Sequence, residues 1–235
     1  MATFVLVHGA FHGGWCWRRV ADRLAAKGHR VFTPTLTGLA DRSHLINPAI
    51  DLDTHIGDVA NLMRWEGLRD VVLCGHSYGG MVVTGAADRE AGRIAALVYL
   101  DALVPEDGQS ALQVVLPDRA RALRNGAAGN DGWRVPPTPA AVFGVEDPTD
   151  RAWVDGLCTP QPIATLAQPI RLSGALAQVR RRHYILAKRY DPSPYHGLAR
   201  RLRKEPGWRV DELDTGHDAM VTMPDELTRA LEANT

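Results

Sequence analysis

The chain has 235 residues, enough for one large domain with a substantial buried core, and nothing in its composition marks a second. Lys+Arg 27 balance Asp+Glu 27 at zero net charge, scattered along the chain, which argues against a nucleic-acid or anionic-membrane surface. No apolar stretch approaches the ~20 residues of a membrane span, and the opening MATFVLVHGA lacks a basic leader, so a cytoplasmic location is expected.

In chain order, Thr3 to Val7 (TFVLV) is a continuous apolar run of the kind a strand buried on both faces shows, broken at Gly9. Trp17, Val20, Ala21, Leu24 and Ala25 then recur at helical spacing, and Gly28 closes that helix. A strand over Arg30 to Pro34 precedes the polar loop TGLADRSHLINP. A helix follows over Leu52 to Trp65, and a strand over Asp70 to Cys74 runs into GHSYG at residues 75–79. Met81 to Ala87 continues as a helix of small and apolar residues, and Ile94 to Leu100 is the next buried strand. Alternating β and α with fully apolar strands predicts a parallel sheet covered by helices on both faces.

From about Val104 to Val179 the rhythm lapses into Pro-, Gly- and Ala-rich sequence with helical fragments such as DRARALRN. That span is too long for a structureless loop, so a mainly helical cap insertion is expected over residues 104–179, between core segments 1–103 and 180–235. The β/α pattern resumes with a strand at His183 to Ala187, a helix near Pro194 to Lys204 and a strand at Trp208 to Leu213. The loop DTGHDAM and a helix opening on Pro224 complete the chain. The basic run RRLRK at 200–204 reads as a solvated helix face. Cys16, Cys74 and Cys158 have no CxxC spacing, which fits neither a disulfide framework nor a zinc site. His8 and His12 are four apart but on a loop, so no metal site is expected there either.

The chemistry centres on Ser77. A serine hydroxyl is a poor nucleophile at its own pKa and needs a base within hydrogen-bond reach and donors for the oxyanion. Ser77 lies directly after an apolar strand and before a helix, between Gly75 and Gly79, which is the context of a nucleophile elbow.

HGAFHGGWCW near the start, GHSYGG in the middle and GHDAM near the end together resemble the α/β-hydrolase superfamily. More narrowly they resemble the small serine esterases related to plant methyl esterases and hydroxynitrile lyases, over nearly the whole chain outside the cap. The resemblance implies an α/β-hydrolase fold, Ser77 as nucleophile, His217 as general base, and the backbone N–H groups of Ala10 and Tyr78 as oxyanion hole. Phe11, His12 and Trp15 are expected to line the substrate pocket or pack beneath it, with Met220 and the cap residues Leu157 and Leu166 also facing it. Two aspartates compete to orient His217. Asp101 ends the strand IAALVYL and is preferred; Asp191 lies one residue beyond the position used by the plant-type relatives.

Dehalogenases and epoxide hydrolases of this fold attack with an aspartate where Ser77 stands. Hydroxynitrile lyases carry a lysine after the histidine and a threonine in the first loop, where this chain has Asp218 and Gly9. The resemblance therefore implies cofactor-free hydrolysis of a small to medium hydrophobic or aromatic ester, or a lactone, with no nucleic-acid or membrane partner and a homodimer left open. Two readings stay beside it: a small-molecule receptor that retains the pocket, and lyase, oxygenase or C–C hydrolase chemistry on the same triad.

Overall fold

In the computed structural model, which describes residues 1–235, the first part of the chain alternates β1 (Thr3–Val7), α1 (Arg18–Ala26), β2 (Arg30–Phe32), α2 (Leu52–Trp65), β3 (Val71–His76), α3 (Gly79–Arg89) and β4 (Ile94–Leu100). Then come α4 (Ala111–Val114), α5 (Pro117–Ala128), β5 (Arg134–Val135), α6 (Pro148–Leu157), β6 (Gln161–Pro162) and α7 (Ile163–Ala167). The chain ends with β7 (Arg182–Ala187), α8 (Tyr195–Leu202), β8 (Trp208–Leu213), α9 (Ala219–Thr222) and α10 (Pro224–Glu232). Six strands pair in the order β2-β1-β3-β4-β7-β8, every neighbouring pair parallel. The short β5 and β6 pair antiparallel apart from this sheet.

Strand periodicity sorts the core into two layers. Val5, Val7, Leu73, Leu97, Tyr99 and Tyr184 point to the face covered by α2, α3 and α8. Phe4, Leu6, Val72, Cys74, Val98, Leu100 and Ile185 point to the face covered by α1 and α10. Burying each such side chain contributes roughly 1.5–3 kcal/mol. Helix α2 starts at Asp51, whose carboxylate accepts the Thr54 N–H at 2.9 Å, a cap worth about 1 kcal/mol. No helix is long and apolar enough to cross a membrane.

Two expectations shift in detail. The strand read over Arg30 to Pro34 is only three residues long because it lies at the sheet edge, paired on one side by β1. The strand read over Asp70 to Cys74 starts one residue later and runs on to His76, Asp70 being a turn residue at φ +52°. Register then places the site. Val7 pairs with Gly75, His76 with Leu100 and Leu100 with Ile185, so the loop after β1, the Ser77 turn and the residues after β4 emerge at one edge of the sheet. That carboxyl edge is where open α/β sheets bind ligands.

Candidate active site

Ser77 occupies the left-handed region at φ +53°, a conformation unfavourable for a residue with a Cβ. Three hydrogen bonds hold it there. Its N–H donates to the Leu100 carbonyl at 3.2 Å, and its own carbonyl accepts from the N–H groups of Gly80 at 3.0 Å and Leu103 at 3.1 Å. The turn is too tight for side chains at its flanks: a Cβ on Gly79 would lie 2.6 Å from the His8 carbonyl oxygen, and one on Gly75 would lie 2.6 Å from that of Gly79. The G-x-S-x-G pattern is thus a steric requirement of β3 turning into α3 beside β1.

Asp101 follows β4 in a second left-handed turn, φ +41°, which directs its carboxylate inward. Its Oδ2 lies 2.6 Å from His217 Nδ1, and its Oδ1 accepts the Ala187 N–H at 3.1 Å. A carboxylate only accepts, so Nδ1 carries the proton and Nε2 keeps its lone pair. His217 is fixed from every side. Its N–H donates to the Phe143 carbonyl at 2.8 Å and its carbonyl accepts from His76 Nε2 at 3.1 Å. Tyr190 and Tyr195 stack on its ring, at centroid distances of 4.4 and 5.5 Å. Burial disfavours charge on both partners, pushing the Asp101 carboxyl well up and the His217 imidazole down to about 4, although Asp218 pulls the latter upward. Asp191 is exposed at the rim of the adjoining cavity and makes no bond to His217.

The cavity encloses about 760 Å³, within the range of small-molecule sites. Ser77, His217, Ala10 and Tyr78 line it, with apolar walls that include Leu116, Leu123, Phe143 and Leu166. The backbone N–H groups of Ala10 and Tyr78 donate to no protein acceptor. Their neighbours do: the Phe11 N–H, at φ +69°, is taken by Gln161 Oε1 at 3.0 Å, and the Tyr78 hydroxyl is tied back to His55 Nδ1 at 2.9 Å. Two unengaged amides therefore belong to residues that line the cavity together with Ser77.

Phe11 and His12 touch the cavity, but Trp15 does not. It sits in the tight turn Gly14–Trp17, which directs its ring against His12 and Trp153 at 5.4 and 5.3 Å. Met220 is fully buried in the core beneath the sheet and Leu157 faces solvent from α6, so neither borders the cavity. Asp218, which stands where hydroxynitrile lyases carry a lysine, points inward with no exposure and lies outside the lining. Sequence reasoning missed the tyrosines around His217, Arg119 on the cavity wall, and the pairing of Asp218 with His12. Tyr190 in a loop and Tyr195 at the first position of α8 carry no periodic signal, and only AKRYDPSP beside a candidate acid hinted at Tyr190.

Several buried histidines are held neutral. His8 Nδ1 donates to the Gly9 carbonyl at 2.8 Å and Nε2 accepts the Leu36 N–H at 3.0 Å, while burial holds its pKa down to about 3. Burial likewise lowers His55, His76 and His183. A native pKa below the unfolded value of about 6.5 means that the unfolded chain binds more protons as pH falls, so this stability is present above 6.5 and lost towards 3. His8 alone loses about 2 kcal/mol by pH 5. His12, raised by Asp218 against its burial, and Asp101, raised by its own burial, act in the opposite sense but are two groups against the five lowered histidines His8, His55, His76, His183 and His217. The melting temperature is therefore expected to fall between pH 7.5 and pH 5 in calorimetry, and a flat profile over that range would contradict neutral burial.

Fold and site together define the class of α/β hydrolases. A model described as "Alpha/beta hydrolase family" matches residues 4–230, and the chain belongs to that family. It is 48% identical to a carbendazim hydrolyzing esterase of Nocardioides sp. (strain SG-4G), over 99% of both chains. Methylesterase 2 of Arabidopsis thaliana is 36% identical over 46% of this chain and 41% of the plant protein. An extracellular α/β-hydrolase from a Paenibacillus species superposes with a TM-score of 0.87 at 22% identity, covering 99% of this chain and 98% of the other, which shows the shared fold. Ester hydrolysis is accordingly the reaction of this chain.

Proposed function

We propose that the chain hydrolyses small hydrophobic or aromatic esters through an acyl-enzyme on Ser77, with His217 as general base and acid and Asp101 orienting it. The observation that carries this reading is the 2.6 Å bond between two buried side chains, Asp101 and His217, at the floor of a cavity that Ser77 and the Ala10 and Tyr78 amides also line. His217 Nε2 takes the Ser77 proton as the oxygen attacks the ester carbonyl. The oxyanion docks on the two amides, the alcohol leaves with the proton, and water repeats the sequence to release the acid. Residues 104–179 serve as the cap, since Leu116, Leu123, Phe143 and Leu166 in that segment supply apolar wall. Such walls favour an aromatic or aliphatic acyl or alcohol group, and carbendazim, which names the 48% identical relative, is the first substrate to try.

The test is covalent. Incubation with a p-nitrophenyl phosphonate is expected to release one equivalent of p-nitrophenol, abolish turnover of a short-chain p-nitrophenyl ester, and place the phosphonyl group on the peptide containing Ser77 by mass spectrometry. Labelling elsewhere, or ester turnover that survives full labelling of Ser77, would overturn the assignment.

A further inference from the structure

Asp218 is a fully buried carboxylate whose charged neighbours are imidazoles. His12 Nε2 lies 3.3 Å from its Oδ2 and His76 Nε2 3.7 Å from its Oδ1. His12 and His76 are both 1% exposed, so solvent does not screen the carboxylate. An unpaired carboxylate there is strongly unfavourable, so one of these rings carries the compensating charge. Hydrogen-bond logic selects His12. Its Nδ1 donates to the Ala10 carbonyl at 2.8 Å, while its Nε2 lies 3.3 Å from the carboxylate, a charge contact not aligned as a hydrogen bond, and only an imidazolium carries a proton at both positions. His76 needs only the one proton that Nε2 directs at the His217 carbonyl. The direction of titration agrees: Asp218 outweighs burial and raises His12, while His12, then His76, outweigh burial and bring Asp218 down to about 2.

What this pair grips is the peptide beside the nucleophile. The Ala10 N–H belongs to the Gly9–Ala10 peptide, whose carbonyl end is held by His8 Nδ1 at 2.8 Å. The next peptide, Ala10–Phe11, is held by His12 at its carbonyl and by Gln161 at its N–H. Both peptide planes that meet at Ala10 are thus fixed, and one of the two fixing histidines is charged. A donor worth 10²–10³ in rate when present is sensitive to small displacements, because its bond must be made to the transition state.

We propose that Asp218 and His12 form a buried ion pair that positions the Ala10 amide of the oxyanion hole, making both of them positioning residues for the reaction. The inference rests on the reading of Ala10 as an oxyanion donor. Asp218 follows His217 in the chain, so one dipeptide carries the general base and anchors the loop that stabilises the oxyanion. His12 takes part through its bond to Ala10, and its packing between Trp15 and Phe143 keeps the ring in place.

Two measurements test it. In the protein labelled with ¹⁵N-histidine, one imidazole is expected to show both ring nitrogens protonated at pH 8, and that signal is expected to vanish in Asp218→Asn. The substitution is isosteric and leaves an amide to bond His12, so the fold is expected to persist. At a pH where His217 is neutral in both proteins, kcat for a p-nitrophenyl ester is expected to fall about 10- to 100-fold with KM changed less than threefold, and inhibition by a trifluoromethyl ketone, whose adduct places an oxyanion in the same site, is expected to weaken by a similar factor. Absence of the imidazolium signal in the parent overturns the ion pair. An imidazolium accompanied by unchanged kcat and ketone affinity in Asp218→Asn overturns the positioning role. Either failure leaves the Ser77 labelling experiment untouched, so it is separable from failure of the esterase mechanism.

Discussion

Ser77→Ala and His217→Ala are each expected to lower kcat for a p-nitrophenyl ester by roughly 10⁴ to 10⁶, with KM within a few-fold of the parent, and the double variant is expected to be no worse than the more impaired single one. The non-additivity follows from geometry. Ser77 is held at φ +53° by three backbone hydrogen bonds that do not involve its hydroxyl, so removing Oγ leaves the turn and the cavity in place. With no hydroxyl to deprotonate, His217 has no proton to take, and with no base the hydroxyl stays protonated at neutral pH. Either change removes the same step. What remains is positioning of the ester and the two amide donors, which alone are worth 10³–10⁴ over water. Initial rates of the three variants decide it. Losses that multiply would show that the two side chains act in separate steps, and a Ser77→Ala protein with more than a hundredth of parental turnover would remove Ser77 from the mechanism.

The parts of this site that the sequence made legible are those where one local rule fixes both conformation and chemistry. The turn at Ser77 is bounded by Gly75 and Gly79 because no Cβ fits 2.6 Å from a carbonyl oxygen, so the constraint is written in the residues themselves. The buried strands were legible for a similar reason: a strand covered on both faces has to be apolar throughout. The wall of the cavity was not. Trp15 lies three residues from His12, near enough in sequence to be assigned to the pocket, yet the tight turn at Gly14 stacks it on His12 from the side away from the lining. Leu157 and Leu166 look equivalent in sequence, but Leu157 ends α6 facing solvent while Leu166 in α7 is buried against the core. Contacts of that kind depend on how the segments between β4 and β7 pack, which no short-range pattern encodes.

Asp218 shows the same limit from the other side. Read beside His217, its charge belongs to the reaction space; its backbone turns the carboxylate under the loop after β1 instead, where His12 neutralises it. The two loops that hold the base and the Ala10 amide are thereby joined by a polar contact spanning most of the chain. Sequence distance hides that contact, whereas the two aspartates that compete for His217 are hidden by similarity, since both follow parallel strands ending at one sheet edge.

Asp101→Asn is expected to lower kcat by about 10⁴, whereas Asp191→Asn is expected to stay within about threefold of the parent. The difference lies in which acceptor His217 Nδ1 finds. Asp101 presents Oδ2 to it at 2.6 Å and spends Oδ1 on the Ala187 N–H, so the carboxylate is anchored as well as aimed. An asparagine keeps the shape and keeps an oxygen for Ala187. Its amide nitrogen then occupies the Oδ2 position and donates to Nδ1, which forces the ring proton onto Nε2, the atom that has to receive the Ser77 proton. The histidine remains in place with the wrong nitrogen protonated, and no imidazolium formed during attack is compensated by a carboxylate. Raising the pH does not restore activity, because the defect is the tautomer rather than the protonation state. Asp191 stands exposed at the cavity rim without a bond to His217, so its substitution alters only the charge at the entrance. Steady-state rates of the two variants from pH 6 to pH 9 make the comparison. An Asp101→Asn protein within tenfold of the parent, or an Asp191→Asn protein as impaired as the other, would transfer the orienting role to the loop after β7.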